Sequence, residues 1–158
     1  MRFGSRKRFA VFFLSLILVA VVLVAFTVGG LRKRPERFVV LRVDDIQDFA
    51  FRDAQLFLLH YGVEADLELS LGVISGMLGE DIEVLEAVRL AINSGSEVGI
   101  HGLEHEDLGA LSVSEQRDLL FQARSRIRQQ LGVNARLLIP PMFSFNNDTL
   151  SVMREVSC

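Results

Sequence analysis

At 158 residues the chain holds one domain and at most an appendage. Residues 1–37 carry eight of the 17 Lys and Arg but one of the 20 Asp and Glu, which leaves nine basic and 19 acidic residues beyond them, a net charge of −10. So acidic a body argues against nucleic acid as a partner, because phosphates demand clustered Lys and Arg.

The N-terminal stretch is different in kind. From Phe9 to Leu31 it carries no charge and is apolar apart from Ser15, Thr27, Gly29 and Gly30. About 20 such residues span a bilayer. Arg2, Arg6, Lys7 and Arg8 precede the run, and Arg32, Lys33, Arg34 and Arg37 follow it. A cleaved secretory signal has a shorter apolar core and a small-x-small site. The expectation is therefore an uncleaved transmembrane helix with its basic cytoplasmic end over 1–31, a basic linker over 32–37 with Pro35, and a folded domain over 38–158. Basic residues on both sides leave the orientation open by the positive-inside rule. Cys158, the single cysteine, cannot close an internal disulfide and is silent on redox compartment.

Past the linker, Phe38 to Val43 reads as a buried strand stopped by Asp44-Asp45. A helix is expected near Arg52 to Tyr61, with Ala54, Phe57, Leu58 and Tyr61 on its inner stripe. Leu67 to Val73 is a second strand, closed by Ser75-Gly76. Asp81 to Asn93 has Ile82, Leu85, Val88 and Ile92 at helical spacing, and Gly95 ends it. Glu97 to Ile100 is a third, short strand. Ser112-x-x-Glu115 is a capping box opening a long helix, with Leu120, Ala123, Ile127 and Leu131 in register and Gly132 at its end. Ala135 to Ile139 is a fourth strand, and Asp148 is expected to cap a last helix that the C-terminus interrupts. This β-α alternation calls for an α/β fold with a parallel sheet and crossover helices. Four units make an open sheet or part of a barrel.

On that scaffold the polar residues gather at one edge. Asp44-Asp45 ends the first strand, His101 the third, and Pro140-Pro141 the fourth. Parallel α/β folds bind ligands outside the carboxyl ends of their strands. His101 and His105, four apart, can face one ion if the backbone after His101 turns helically. Alone, such a pair reads equally well as two loop histidines, and Asp44-Asp45 as a helix cap or turn. Together, one carboxylate and two imidazoles make a three-ligand site for a zinc-type divalent ion with a position left open. Of two adjacent aspartates, one can bind the ion while the other takes a proton from a water acidified beside it. Asp48 reads as a cap for the following helix, and His60 as a surface residue.

Val43-Asp44-Asp45, His101-x-x-x-His105 and Ile139-Pro140-Pro141 resemble, in order and strand placement, the first three motifs of the polysaccharide deacetylases, carbohydrate esterase family four. The resemblance covers about residues 38 to 158. It implies a distorted (β/α) barrel, here its N-terminal part, and removal of an N-acetyl or O-acetyl group from an acetylated polysaccharide or oligosaccharide. By the same resemblance Asp44 is similar to the catalytic base, Asp45, His101 and His105 to the metal ligands, and Pro140-Pro141 to the third motif. The family's habit places such a domain outside the cytoplasmic membrane. Three departures stand out. Gly102 occupies a position that is Ser or Thr in the family. Ile139 and Met142 stand where Arg and Tyr are expected, with Arg42 and Arg136 as candidates to replace the arginine that orients the base. The later motifs, including a general-acid histidine, find no room after Cys158, so a truncated domain is expected.

Two rival readings use the same residues. His101-Gly102-Leu103-Glu104-His105 satisfies H-x-x-E-H, the inverted zinc-protease pattern with Glu104 as base, which requires a continuous helix through both histidines. The other is a membrane-tethered half-barrel that keeps its metal ligands without a complete catalytic set.

Overall fold

The computed structural model describes Leu18 and residues 38–157. The expected anchor (Leu18 apart) and linker lie outside the described residues, among which no helix is long and apolar enough to cross a membrane. Internal contacts divide the chain into Met1–Val39 and Val40–Cys158. In the first unit the described residues are Leu18, Phe38 and Val39, all exposed. The second unit carries the fold.

Its elements alternate as the hydrophobic pattern demands: β1 Leu41–Ile46, α1 Arg52–Glu64, β2 Leu69–Val73, α2 Ile82–Asn93, β3 Glu97–Ile100, α3 Val113–Leu131, β4 Leu137–Leu138 and α4 Asn147–Val156. The four strands pair in parallel in the order β1-β2-β3-β4. Each strand thus lies beside its predecessor, and each successive helix packs against the one before it. The core lies between sheet and helices: Leu71, Val73 and Ile100 from strands meet Leu59, Val84, Val88, Leu120 and Ile127 from helices, all fully buried.

The first strand departs from expectation. It does not stop at the aspartates but runs through them to Ile46. Val43 pairs with Leu71 and Ile46 with Val73, so Asp44 and Asp45 together stand opposite the single residue Gly72. This is a bulge, with Asp45 in the left-handed region at φ 61 taking up the extra residue. Bulges re-aim side chains, and here one turns the second aspartate away from the plain strand alternation.

Helix α1 buries the other face from the one expected. Gln55, Leu56, Leu59 and Gly62 are inside, whereas Phe57 is 66% exposed and Leu58 and Tyr61 are also outside. Apolar residues stand on two sides of the helix, Leu56 and Leu59 on one and Phe57, Leu58 and Tyr61 on the other, so its periodicity does not choose a face. Packing chooses: Gly62 lets the helix approach β2, where a Cβ at 62 would lie 2.8 Å from Leu69 Cδ1. In α2 the expected Leu85 and Val88 are buried, but Ile82 is exposed and Val84, Ala87 and Ala91 complete the inner stripe. The long helix matches its pattern fully. Ser112 and Glu115 form the reciprocal capping box, Leu120, Ala123, Ile127 and Leu131 are buried, and Gly132 ends it at φ 75. The fourth strand is shorter than Ala135–Ile139, pairing only at Leu137 and Leu138. Asn146, not Asp148, caps α4, accepting at 3.0 Å from the backbone N–H groups of Asp148 and Thr149. Asp48 caps no following helix either: its Oδ2 accepts from the Glu80 N–H at 2.6 Å, tying the loop after β1 to the loop before α2.

Asp81 both caps α2 and meets Arg52 of α1, whose Nε donates to it at 2.5 Å. The Arg52 hydrogen bond, then that from the Val84 N–H, holds the Asp81 carboxyl below its ordinary value. A carboxyl lowered in the folded state contributes stability above its unfolded pKa and loses it as pH falls through the folded one. Asp81→Asn, which keeps the cap but not the charge, is therefore expected to melt below wild type near neutrality. Thermal melts from pH 7 to pH 2 should show the gap closing in acid.

Candidate metal centre

Three strand ends and the loops beyond them build the site. His101 follows β3 directly. Its backbone N–H donates to Val73 O at 2.9 Å and the residue is 3% exposed. Its Nδ1 lies 2.7 Å from Ile139 O. A carbonyl only accepts, so Nδ1 carries the hydrogen, and in the neutral ring Nε2 then presents its lone pair. That lone pair faces Asp45 Oδ1 at 3.2 Å. His105 Nε2 faces the same oxygen, also at 3.2 Å.

Two acceptor atoms held together in this way repel unless a proton or cation lies between them. For tetrahedral zinc, arms of about 2.0–2.1 Å place neighbouring ligand atoms roughly 3.4 Å apart. The three donor atoms lie within 4.8 Å of one another. A backbone carbonyl fixing the far nitrogen of a ligating histidine is likewise the usual outer support of such ions. The donor set fits a divalent ion of the N,O-binding kind.

The loop that delivers His105 is not helical. After Ile100 the chain bends through Gly102 at φ 82 and His105 at φ 69, and the imidazoles meet edge to face, 5.1 Å between centroids. The helical turn expected after His101 is thus corrected, and the inverted zinc-protease reading goes with it. Glu104 is exposed, and its N–H donates to Glu106. The Glu106 carboxylate holds this bend, accepting from Leu103 N at 3.0 Å and Glu104 N at 2.9 Å. A Cβ at Gly102 would lie 2.7 Å from Glu106 Oε2 and 3.2 Å from both His105 N and Pro141 Cγ. The serine or threonine of the resembled motif has no room here. Gly102→Ser is expected to cost about 1–3 kcal/mol through its strained φ. Urea unfolding measures it, and an unchanged midpoint would show that the loop accepts a side chain.

Pro141 is buried behind Gly102, so the second proline of the third motif backs the histidine loop. Pro140 O accepts from Phe143 N at 3.1 Å, closing a turn in which Met142 and Phe143 both take left-handed φ, 52 and 55. Ser144 Oγ donates to Asp107, and Asn146 Nδ2 donates to Gly109 O at 3.3 Å. These bonds join the segments that follow His105 and Pro141.

Asp44 stands apart from the three-residue cluster. Its Oδ2 pairs with an Arg42 Nη at 2.9 Å. Its Oδ1 is buried and finds no hydrogen-bond partner among the described residues. Gly72 lies between Asp44 and His101, since a Cβ there would meet Asp44 Oδ1 at 3.1 Å and His101 Cγ at 3.4 Å. Sequence reasoning passed over Gly72, although a glycine inside a strand often marks a close approach. It also passed over Glu106 and the Ile139 carbonyl. Of the two arginine candidates, Arg42 reaches Asp44, while Ile139, at the expected arginine position, is buried. His60 lies exposed on α1.

Fold and site together define a parallel α/β protein with a candidate divalent-metal centre at the carboxyl ends of its strands. The family model described as polysaccharide deacetylase matches residues 32–157, and the chain belongs to that family. The peptidoglycan deacetylase of Helicobacter pylori is 29% identical over 72 residues, 45% of this chain and 25% of that protein. A carbohydrate esterase family four pseudoenzyme from Bacillus anthracis superposes with a TM-score of 0.65 at 20% identity, over 79% of this chain and 42% of its own. The chitin deacetylase of Colletotrichum lindemuthianum does so with a TM-score of 0.63 at 22% identity, over 75% of this chain and 51% of its own. The chain therefore spans about half or less of the length of these relatives, and the structures support the fold.

Proposed function

We propose that this domain is the metal-binding part of a hydrolase that removes acetyl groups from a glycan. The observation that carries the reading is the convergence of His101 Nε2 and His105 Nε2 on one Asp45 oxygen, with Asp44 close by but held separately. Asp45, His101 and His105 would hold the ion, with zinc proposed from two imidazoles and one carboxylate. A divalent ion held there would polarise a carbonyl and acidify a water. Asp44, one of whose oxygens has no hydrogen-bond partner among the described residues, would accept the proton as general base. The strand order β1-β2-β3-β4 is that of a segment of a (β/α) barrel, which supports a partial barrel of the deacetylase type. The uncharged run from Phe9 to Leu31 supports a membrane anchor, and the family's habit favours the extracytoplasmic side for the domain.

A second reading, metal binding without turnover, is favoured by the histidines. These 158 residues hold three, two in the cluster and His60 exposed, so no histidine among them is placed to protonate a leaving group. Acetate release decides between them. The zinc-loaded chain is offered a chitin pentasaccharide, peptidoglycan fragments and acetylated xylan. Metal-dependent acetate from any of them supports the deacetylase; bound metal with no acetate from all three supports the second reading.

A further inference from the structure

Arg42 and Phe143 form an arrangement that metal binding does not explain. In β1, residues 42 and 44 lie on the same side of the strand, because side chains alternate. Arg42 uses that placement to reach Asp44 Oδ2 at 2.9 Å. Its guanidinium carbon also lies 5.1 Å from the centre of the Phe143 ring. A guanidinium is planar, so it can present its edge to a carboxylate and its face to an aromatic ring at once.

Phe143 is placed there against its own preference. It is 71% exposed, so burial does not account for the ring's position, and its φ of 55 is one that a bulky side chain rarely adopts. The preceding Met142 is left-handed as well. The turn is closed by two backbone hydrogen bonds, Phe143 N to Pro140 O at 3.1 Å and Ser144 N to Pro141 O at 2.9 Å. Strained backbone of this kind persists where its surroundings over-determine it, and it concentrates at functional sites. Here the β4–α4 turn carries an aromatic ring to the arginine of the far edge strand.

The geometry points to Arg42, stacked on Phe143, as the positioning residue that holds the Asp44 carboxylate beside the metal cluster. It rests on the reading of Asp44 as general base. Oδ2 is tied to Arg42 and the buried Oδ1 has no hydrogen-bond partner among the described residues, so the pair divides the carboxylate into a held oxygen and one left to accept. The buried Ile139 leaves this task to β1 itself, two residues before the base. Lysine in place of Arg42 would keep the charge but lose both the fork and the stacking face.

The test uses the full chain loaded with cobalt(II). In thermal melts, Arg42→Met is expected to shift the midpoint when Asp44 is present and to leave it unmoved in an Asp44→Asn background, the mark of a coupled pair. Equal shifts in both backgrounds overturn the proposal whatever the activity. In acetate release from a chitin pentasaccharide, Arg42→Met is expected to lower kcat about 100-fold, as a misplaced catalytic group does. KM and cobalt affinity should stay within about threefold, Arg42→Lys should recover little, and added methylguanidinium should restore part of kcat to Arg42→Met. Phe143→Leu should lower kcat in the same sense by a smaller factor. Undiminished kcat in Arg42→Met, or a loss matched by lost cobalt binding, overturns the positioning role. A wild-type chain that releases no acetate instead defeats the deacetylase reading, and the melts then decide the pairing alone.

Discussion

Asp45→Ala or His101→Ala is expected to abolish stoichiometric metal binding. Wild type should take up about one zinc or cobalt ion per chain, and each variant should lose at least ~100-fold in affinity. Even partners that merely support a ligand are worth 10–100-fold, and here one of three direct donors is removed. The physical ground is the arrangement of lone pairs. Ile139 O fixes the His101 hydrogen on Nδ1, which leaves Nε2 facing a carboxylate oxygen 3.2 Å away. With neither a proton nor a cation between them these atoms repel; a divalent ion would make the contact a ligand edge. His101→Ala also strips a buried carbonyl of its donor, so Asp45→Asn is the cleaner companion. Calorimetric titration with zinc checks all three, and unchanged affinity in any of them removes the ligand assignment.

Asp44→Asn is expected to behave in the opposite way. Metal affinity should stay within about threefold of wild type, because Asp44 lies outside the three-residue cluster. Acetate release should fall about 1,000-fold, in the range that a positioned general base contributes. Asparagine preserves the shape between Gly72 and Arg42 but cannot accept the proton. Equal rates in the two proteins would take the base role from Asp44, and lost metal binding would move it into the ligand set.

The contrast between these adjacent aspartates is the part of the site that the sequence left open. Two carboxylates in a row read as a division of labour, yet nothing in Val43-Asp44-Asp45 says that both face one glycine. The bulge says so, and it arises from pairing with β2, a partner 28 residues away by the Val43–Leu71 register. Likewise His101-x-x-x-His105 reads as a helical turn because four-residue spacing is a helical period. Gly102 at φ 82 and the Glu106 carboxylate bend it into a loop instead. In α1 the apolar residues outnumber the positions that the core can take, so Phe57 and Tyr61 lie outside while Gln55 is buried. Periodicity could not choose between faces that were both apolar.

What the sequence determined by itself is whatever local chemistry decides. The strand and helix order follows from hydrophobic period and turn residues, the α3 start from Ser112 and Glu115, and its end from Gly132. Asp45, His101 and His105 could be named as candidate ligands at that level too, from their places at strand ends and from the motifs they resemble. Only the tertiary structure decided what depends on strands meeting. It bent β1 so that Asp45 met both histidines, laid Gly72 between Asp44 and His101, and brought Phe143 from the turn after β4 against Arg42, whose guanidinium pairs with Asp44. These are contacts between residues distant in sequence, and no local preference encodes their register.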